Sequence, residues 1–196
     1  MGALFARMGF KPIARHRHKN VVLYRQGGIN FIVNAEPDSF AQRFARLHGP
    51  SICAIAFRVD DAKAAYERAL SLGAWGYAGV AGPGELNIPA IEGIGRSVIY
   101  FVDRYAPGGV SIHVIDFVAP EAVRGFTRNG AGLIKTDHVA HNVYRGNMNV
   151  WEGFYERPFS FREIRYFDME GTLTGLKSRA MTSPCGRIRI PIDESS

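Results

Sequence analysis

At 196 residues and 46% hydrophobic composition, the chain can bury a core without disulfides or a structural metal. Its net charge of +6 comes from scattered Lys and Arg, and the densest cluster, Arg15-His16-Arg17-His18-Lys19, lacks a basic face interleaved with aromatics, so it reads as a solvated turn and not as a nucleic-acid site. Two distant cysteines, Cys53 and Cys185, fit a reduced, cytoplasmic protein; the broken apolar N-terminus is a poor signal peptide, and no apolar run approaches the ~18 residues of a membrane span.

In chain order, LFARMGF reads as helix ending at Gly9, and NVVLYRQGGINFIVN as two strands joined across Gly27-Gly28, a pair that tolerates the positive φ of a tight hairpin. FAQRFARLHG sets Phe40, Phe44 and Leu47 on one helical face and stops at Gly49. SICAIAFRV alternates as a strand, followed by a helix, DDAKAAYERALSLGA, with Asp60 or Asp61 as its N-cap and Gly73 as its stop. AGPGELNIPAIEGIG reads as loop, and SVIYFVDRY and SIHVIDFV as strands around Pro107-Gly108-Gly109.

After a less apolar connector, the order recurs. TDHVAHNV reads as a strand, NMNVWEGFYERPF as a helix, and SFREIRYFDM, TGLKSRAMTSP and GRIRIPID as strands. Aligning AFRV (56–59) with AHNV (140–143) gives an offset of 84 residues and brings the two helices into step. The fold class is therefore α+β, built from repeated βαβββ units: two whole, and one at the start that begins midway through a helix. The expected division is 1–118, a connector at 119–134, and 135–196.

KTDHVAHNVYRG places two histidines three apart. On a strand, His138, Ala140 and Asn142 share one face and Val139, His141 and Val143 the other, so the two imidazoles cannot chelate one ion together. The valine face belongs against the helix, leaving His138 on the open side. At an offset of 84, the position matching His138 holds Ala54, so the fold itself does not require an imidazole there. The bland alternative is a hydrogen-bonded strand histidine; the sharper one is a metal ligand.

The segments HGPSICAIAFRVDDAKAAYERALSLGA, ELNIPAIEGIG, TDHVAHNVYRGNMNVWEGFYE, FREIRYFDMEGTLTGLKSRAM and IRIPIDE resemble the bacterial 4-hydroxyphenylpyruvate dioxygenase family over essentially the whole chain. The resemblance implies the vicinal oxygen chelate fold, four βαβββ units in two domains, with units one and two non-catalytic. It implies an Fe(II) cofactor held by two histidines and one glutamate, His138 matching the first of these. It further implies oxidative decarboxylation of 4-hydroxyphenylpyruvate with dioxygen, the ring being hydroxylated and homogentisate formed.

Ser178 matches a family serine near the substrate's aromatic end, and Pro191 a pocket-lining proline. Asp193 stands where the family usually has asparagine, which removes a hydrogen-bond donor and adds a negative charge. Their bland readings are a strand-surface serine, an edge-strand proline and a turn carboxylate. The family's remaining iron histidine and glutamate lie in a fourth unit with no counterpart here, and no catalytic residue beyond the ligand set is assigned. The expectation is a chain shortened at both ends, inactive alone, working with a complementing fourth unit or as a homo-oligomer. A non-catalytic assembly module and a hydroxymandelate synthase-like enzyme are the competing readings.

Overall fold

Asp61 accepts a hydrogen bond from the Ala64 N–H at 2.8 Å, and Gly73 closes the same helix at φ +93°, a conformation that a side chain would strain. A second carboxylate, Asp103, accepts from the Ala62 N–H at 3.1 Å, so two donors of the first turn are satisfied by side chains. This computed structural model describes residues 1–79, 81, 85–105, 111–118, 130–169 and 175–195. The Pro107-Gly108-Gly109 turn and most of the connector lie outside the described residues.

The first unit has helix α1 (Gly2–Arg7) and strands β1 (Lys11–His16), β2 (Val21–Gln26) and β3 (Ile29–Asn34), followed by α2 (Phe40–His48). The second has β4 (Ala54–Arg58), α3 (Ala62–Ser71), β5 (Ala90–Glu92) and β6 (Val98–Val102), then α4 (Ile112–Ile115) and β7 (Phe117–Val118). The third has β8 (His141–Val143), α5 (Met148–Phe159), β9 (Arg162–Met169), β10 (Leu176–Thr182) and β11 (Arg189–Ser195). Three sheets result, ordered β3-β2-β1-β7, β4-β6-β5 and β8-β11-β10-β9.

In the second and third units the first strand runs parallel to the last, β4 against β6 and β8 against β11. Phe57 pairs with Phe101 as His141 pairs with Ile192, so Phe57 and His141, 84 residues apart, hold the same place in two copies of one unit. The fold is therefore an α+β arrangement of repeated units, βαβββ in the third, whereas among the described residues the second keeps β4, α3, β5 and β6 and sends β7 to the first sheet. One apolar core spans the second and third units. Phe159 and Phe161 pack on Phe57 at ring distances of 5.4 and 6.1 Å, and Tyr155 is fully buried. The first unit has its own small cluster of Phe5, Phe10 and Ile29.

Five expectations need correction. Strand β1 takes the first two residues of the basic cluster, Arg15 and His16: His16 is a strand residue, only 9% of its side chain exposed, 3.6 Å from Glu85, because Lys11–His16 pairs with β2. Residues 111–118 form α4 and β7 instead of one strand. Ser111 accepts the His113 N–H, starting a helix, and β7 joins the edge of the first sheet beside β1. The stretch read as loop contains β5, which pairs with β6. On α2 the stripe runs Phe40, Phe44, His48 by steps of four, with Phe44 and His48 rings 4.3 Å apart, and Leu47 is left 77% exposed. Finally, the strand expected from Thr136 is regular only from His141, although the Val139 N–H still reaches the Arg189 carbonyl at 3.3 Å.

Candidate metal centre

Alternation along β11 divides its side chains cleanly. Ile190, Ile192 and Glu194 are buried on the α5 side, while Arg189, Pro191 and Asp193 lie on the opposite, more open face. Cross-strand partners share a face, so the pairs Ser178 with Asp193, Ala180 with Pro191, and Asp193 with Asn142 carry that open face across β10 and β8. His138 lies ahead of β8, outside its regular register, and comes near Arg189 through Asp137, which contacts both side chains. Of the four residues singled out from the sequence, Ser178, Pro191 and Asp193 belong to one face of one sheet, and His138 lies just ahead of that sheet's parallel strand β8. Opposed residues such as Ser178 and Asp193 stand ~5 Å apart.

His141 is on the other face. Its Nε2 lies 3.0 Å from the Tyr155 hydroxyl on α5, and burial pushes its pKa down, as suits a neutral imidazole in the core. His138, by contrast, has 54% of its side chain exposed. Its Nδ1 is 2.9 Å from Asp137 Oδ2, and the other oxygen, Oδ1, accepts from Arg189 Nη1 at 2.8 Å. An ionised carboxylate only accepts, so in the neutral ring Nδ1 carries the proton and Nε2 keeps its lone pair. The hydrogen bond from His138, with the Arg189 charge beside it, holds the Asp137 carboxyl below the usual carboxylate range.

An open cleft of about 410 Å³ adjoins this trio, lined by Lys135, Thr136, Asp137, Gly186, Arg187 and Arg189. Three cations against one carboxylate make it favourable to anions. Sequence reading did not find Asp137 or Arg189. Asp137 was visible in the Asp-His dipeptide, whereas Arg189 meets it only through the parallel ladder.

As a metal site, the donor set is partial. His138 offers one unencumbered imidazole nitrogen, but among the described residues no three His, Cys, Asp or Glu side chains gather around a common point. One imidazole is a fitting ligand for Fe(II) and a weak site by itself.

The sequence model of the family described as hydroxyphenylpyruvate dioxygenase, N-terminal, matches residues 1–118. The chain belongs to the 4-hydroxyphenylpyruvate dioxygenase family. A protein of this family from Pseudomonas sp. (strain P.J. 874), named 4-hydroxyphenylpyruvate dioxygenase, is 55% identical over 98% of this chain and 54% of its own length. The hemolysin VllY of Vibrio vulnificus (strain CMCP6) is 57% identical, again over 98% of this chain and 54% of its own. Among solved structures, a fusion of a xylose isomerase-like TIM barrel with 4-hydroxyphenylpyruvate dioxygenase superposes with a TM-score of 0.78 at 35% identity, covering 98% of this chain and 30% of the fusion. The chain spans about half the length of these curated relatives.

Proposed function

We propose that this chain supplies the His138 side of an Fe(II) centre in a 4-hydroxyphenylpyruvate dioxygenase, the remaining metal ligands coming from the part of the family's length it does not match. The observation that carries this reading is the exposed His138 ring, its Nδ1 2.9 Å from Asp137 Oδ2, just ahead of β8 in the sheet whose open face carries Ser178, Pro191 and Asp193. A bound Fe(II) would supply a Lewis-acidic centre with open positions for a 2-oxo acid and dioxygen. Around it, the Ser178 hydroxyl would orient the substrate's aromatic end, and Pro191 would give an apolar wall. Asp193, lacking a donor, could only accept a hydrogen bond. The cationic cleft would draw in the substrate carboxylate.

The overall reaction on this reading converts 4-hydroxyphenylpyruvate and dioxygen to homogentisate and carbon dioxide, with residues 1–118 forming a non-catalytic domain and 135–196 the first half of the catalytic one. A cytoplasmic location fits the two free cysteines. No helix among the described residues is long and apolar enough to cross a membrane.

The test is complementation. Mixing the chain with a separately expressed polypeptide covering the rest of the Pseudomonas relative should release homogentisate, and His138→Ala should abolish it. Turnover by the chain alone near a complete enzyme's rate would sink the reading. Release of hydroxymandelate would keep the site and change the product.

A second reading, an assembly module without chemistry, is supported by β9, whose Ile164, Tyr166, Phe167 and Met169 are 42–53% exposed. A stable complex, either with that polypeptide or as a homo-oligomer, formed without activity would favour it.

A further inference from the structure

We propose that Asp137, held in place by Arg189, fixes the His138 ring as its Nδ1–H tautomer and so leaves Nε2 as the nitrogen lone pair presented to a divalent cation. This rests on the reading of His138 as a metal ligand, and it adds two positioning residues.

The geometry is specific. Asp137 uses both oxygens, one on His138 Nδ1 at 2.9 Å and one on Arg189 Nη1 at 2.8 Å. Neighbours in a regular strand point to opposite faces, so Asp137 and His138 can meet only where the backbone departs from strand geometry. That is where they lie, ahead of β8, which begins at His141. Arg189 is anchored independently: it opens β11, pairs with Thr182, and its carbonyl accepts the Val139 N–H. The carboxylate is thus clamped from a strand that its own segment runs beside. All three side chains are about half exposed, 54%, 54% and 46%, so the contact is not a by-product of core packing.

The second unit provides an internal comparison. The His141–Ile192 pair corresponds to Phe57–Phe101, which sets Asp137, His138 and Arg189 on Cys53, Ala54 and Val98. The ladder is kept there, with Ala54 paired to Val98, yet all three polar members are absent together. The fold therefore does not need the trio. An imidazole without a fixed acceptor exchanges between two tautomers, and only one of them offers Nε2. A carboxylate behind the ring is the usual way in which a protein settles that choice for a metal-ligating histidine.

The experiment is ring-nitrogen NMR on the full 196-residue chain, metal-free, at pH 8, with His138 assigned by its loss in His138→Ala. The wild type should show a protonated Nδ1 and an unprotonated Nε2. Asp137→Ala should move both nitrogens toward the averaged values of a free imidazole, and Arg189→Ala should move them less in the same direction. Asp137→Glu, which keeps a carboxylate, should restore the wild-type pattern. Unchanged ring shifts in Asp137→Ala, or a protonated Nε2 in the wild type, would overturn the proposal.

Co(II) titration, read from broadening of the His138 ring signals, separates the two layers. About tenfold weaker binding in Asp137→Ala supports the coupling to metal. A tautomer that shifts as expected while His138 never senses Co(II), even with the polypeptide covering the rest of the Pseudomonas relative present, would leave the clamp standing and refute His138 as a ligand.

Discussion

Glu194, on the last strand, accepts a hydrogen bond from the Met148 N–H at 3.0 Å and so caps α5 from 46 residues away. The N–H groups of Gly146, Met148 and Asn147 hold its carboxyl below the ordinary value of 4.5. This helix has no side-chain cap of its own at Asn147, so the remote carboxylate takes that role. Glu194→Ala is expected to cost about 1–2 kcal/mol in urea unfolding at pH 7.

The pH dependence has a definite sign. A depressed folded-state pKa means that the stabilisation is complete above about 4.5 and is lost as pH falls through the lower folded value. The stability gap between wild type and Glu194→Gln should therefore narrow between pH 6 and pH 3. A gap that stays constant over that range would mean that the carboxylate charge is irrelevant to the cap.

His141 and Tyr155 form a buried polar pair where the second unit has Phe57 in place of the histidine. His141→Phe should destabilise by about 1–3 kcal/mol, because the Tyr155 hydroxyl is left in an apolar core without a partner. Adding Tyr155→Phe should recover much of that loss. A double-mutant cycle in urea reads the coupling, and additive losses would show that the two side chains do not depend on each other.

His113 is pushed down to about 4, first by burial and then by the nearby Arg25 and Arg58 charges. The unfolded chain takes up a proton on this ring below about 6.5 while the folded chain resists it until about 4. Stability is thus full above the higher value and declines as pH falls through that window. His113→Gln should flatten the stability profile between pH 6.5 and 4, measured by thermal unfolding across the range.

Much of this fold was legible in local pattern. The cap at Asp60 or Asp61, the Gly27-Gly28 hairpin and the strands β10 and β11 are short-range signals, and the internal repeat sets His138 against Ala54. His141 could be assigned to the helix side because valines flank it. What escaped were features set by pairing at a distance. Residues 117–118 read as a continuation of the second unit, but their hydrogen-bond partner is β1, about a hundred residues earlier. Neither Glu194 nor Arg189 carries a local signal of its role, which follows only from β11 lying beside β8 and α5. At the site, His138 was singled out by type and parity, while its orientation by Asp137 depends on a local break in the strand that periodicity does not encode.

The two cysteines should differ sharply in reactivity. Cys53 is partly buried, and desolvation pushes its thiol pKa up. Cys185 is exposed in the β10–β11 turn, where the Ser183 hydroxyl 3.3 Å away, followed by the Arg187 backbone, favours the thiolate and lowers its pKa. Because the thiolate is the nucleophile, a disulfide reagent at pH 7 should modify Cys185 first and Cys53 only slowly. Ser183→Ala removes the leading stabiliser of the thiolate and should slow the fast phase severalfold without touching the slow one. Peptide mapping of the singly modified protein identifies the site, and label appearing first on Cys53 would contradict the assignment.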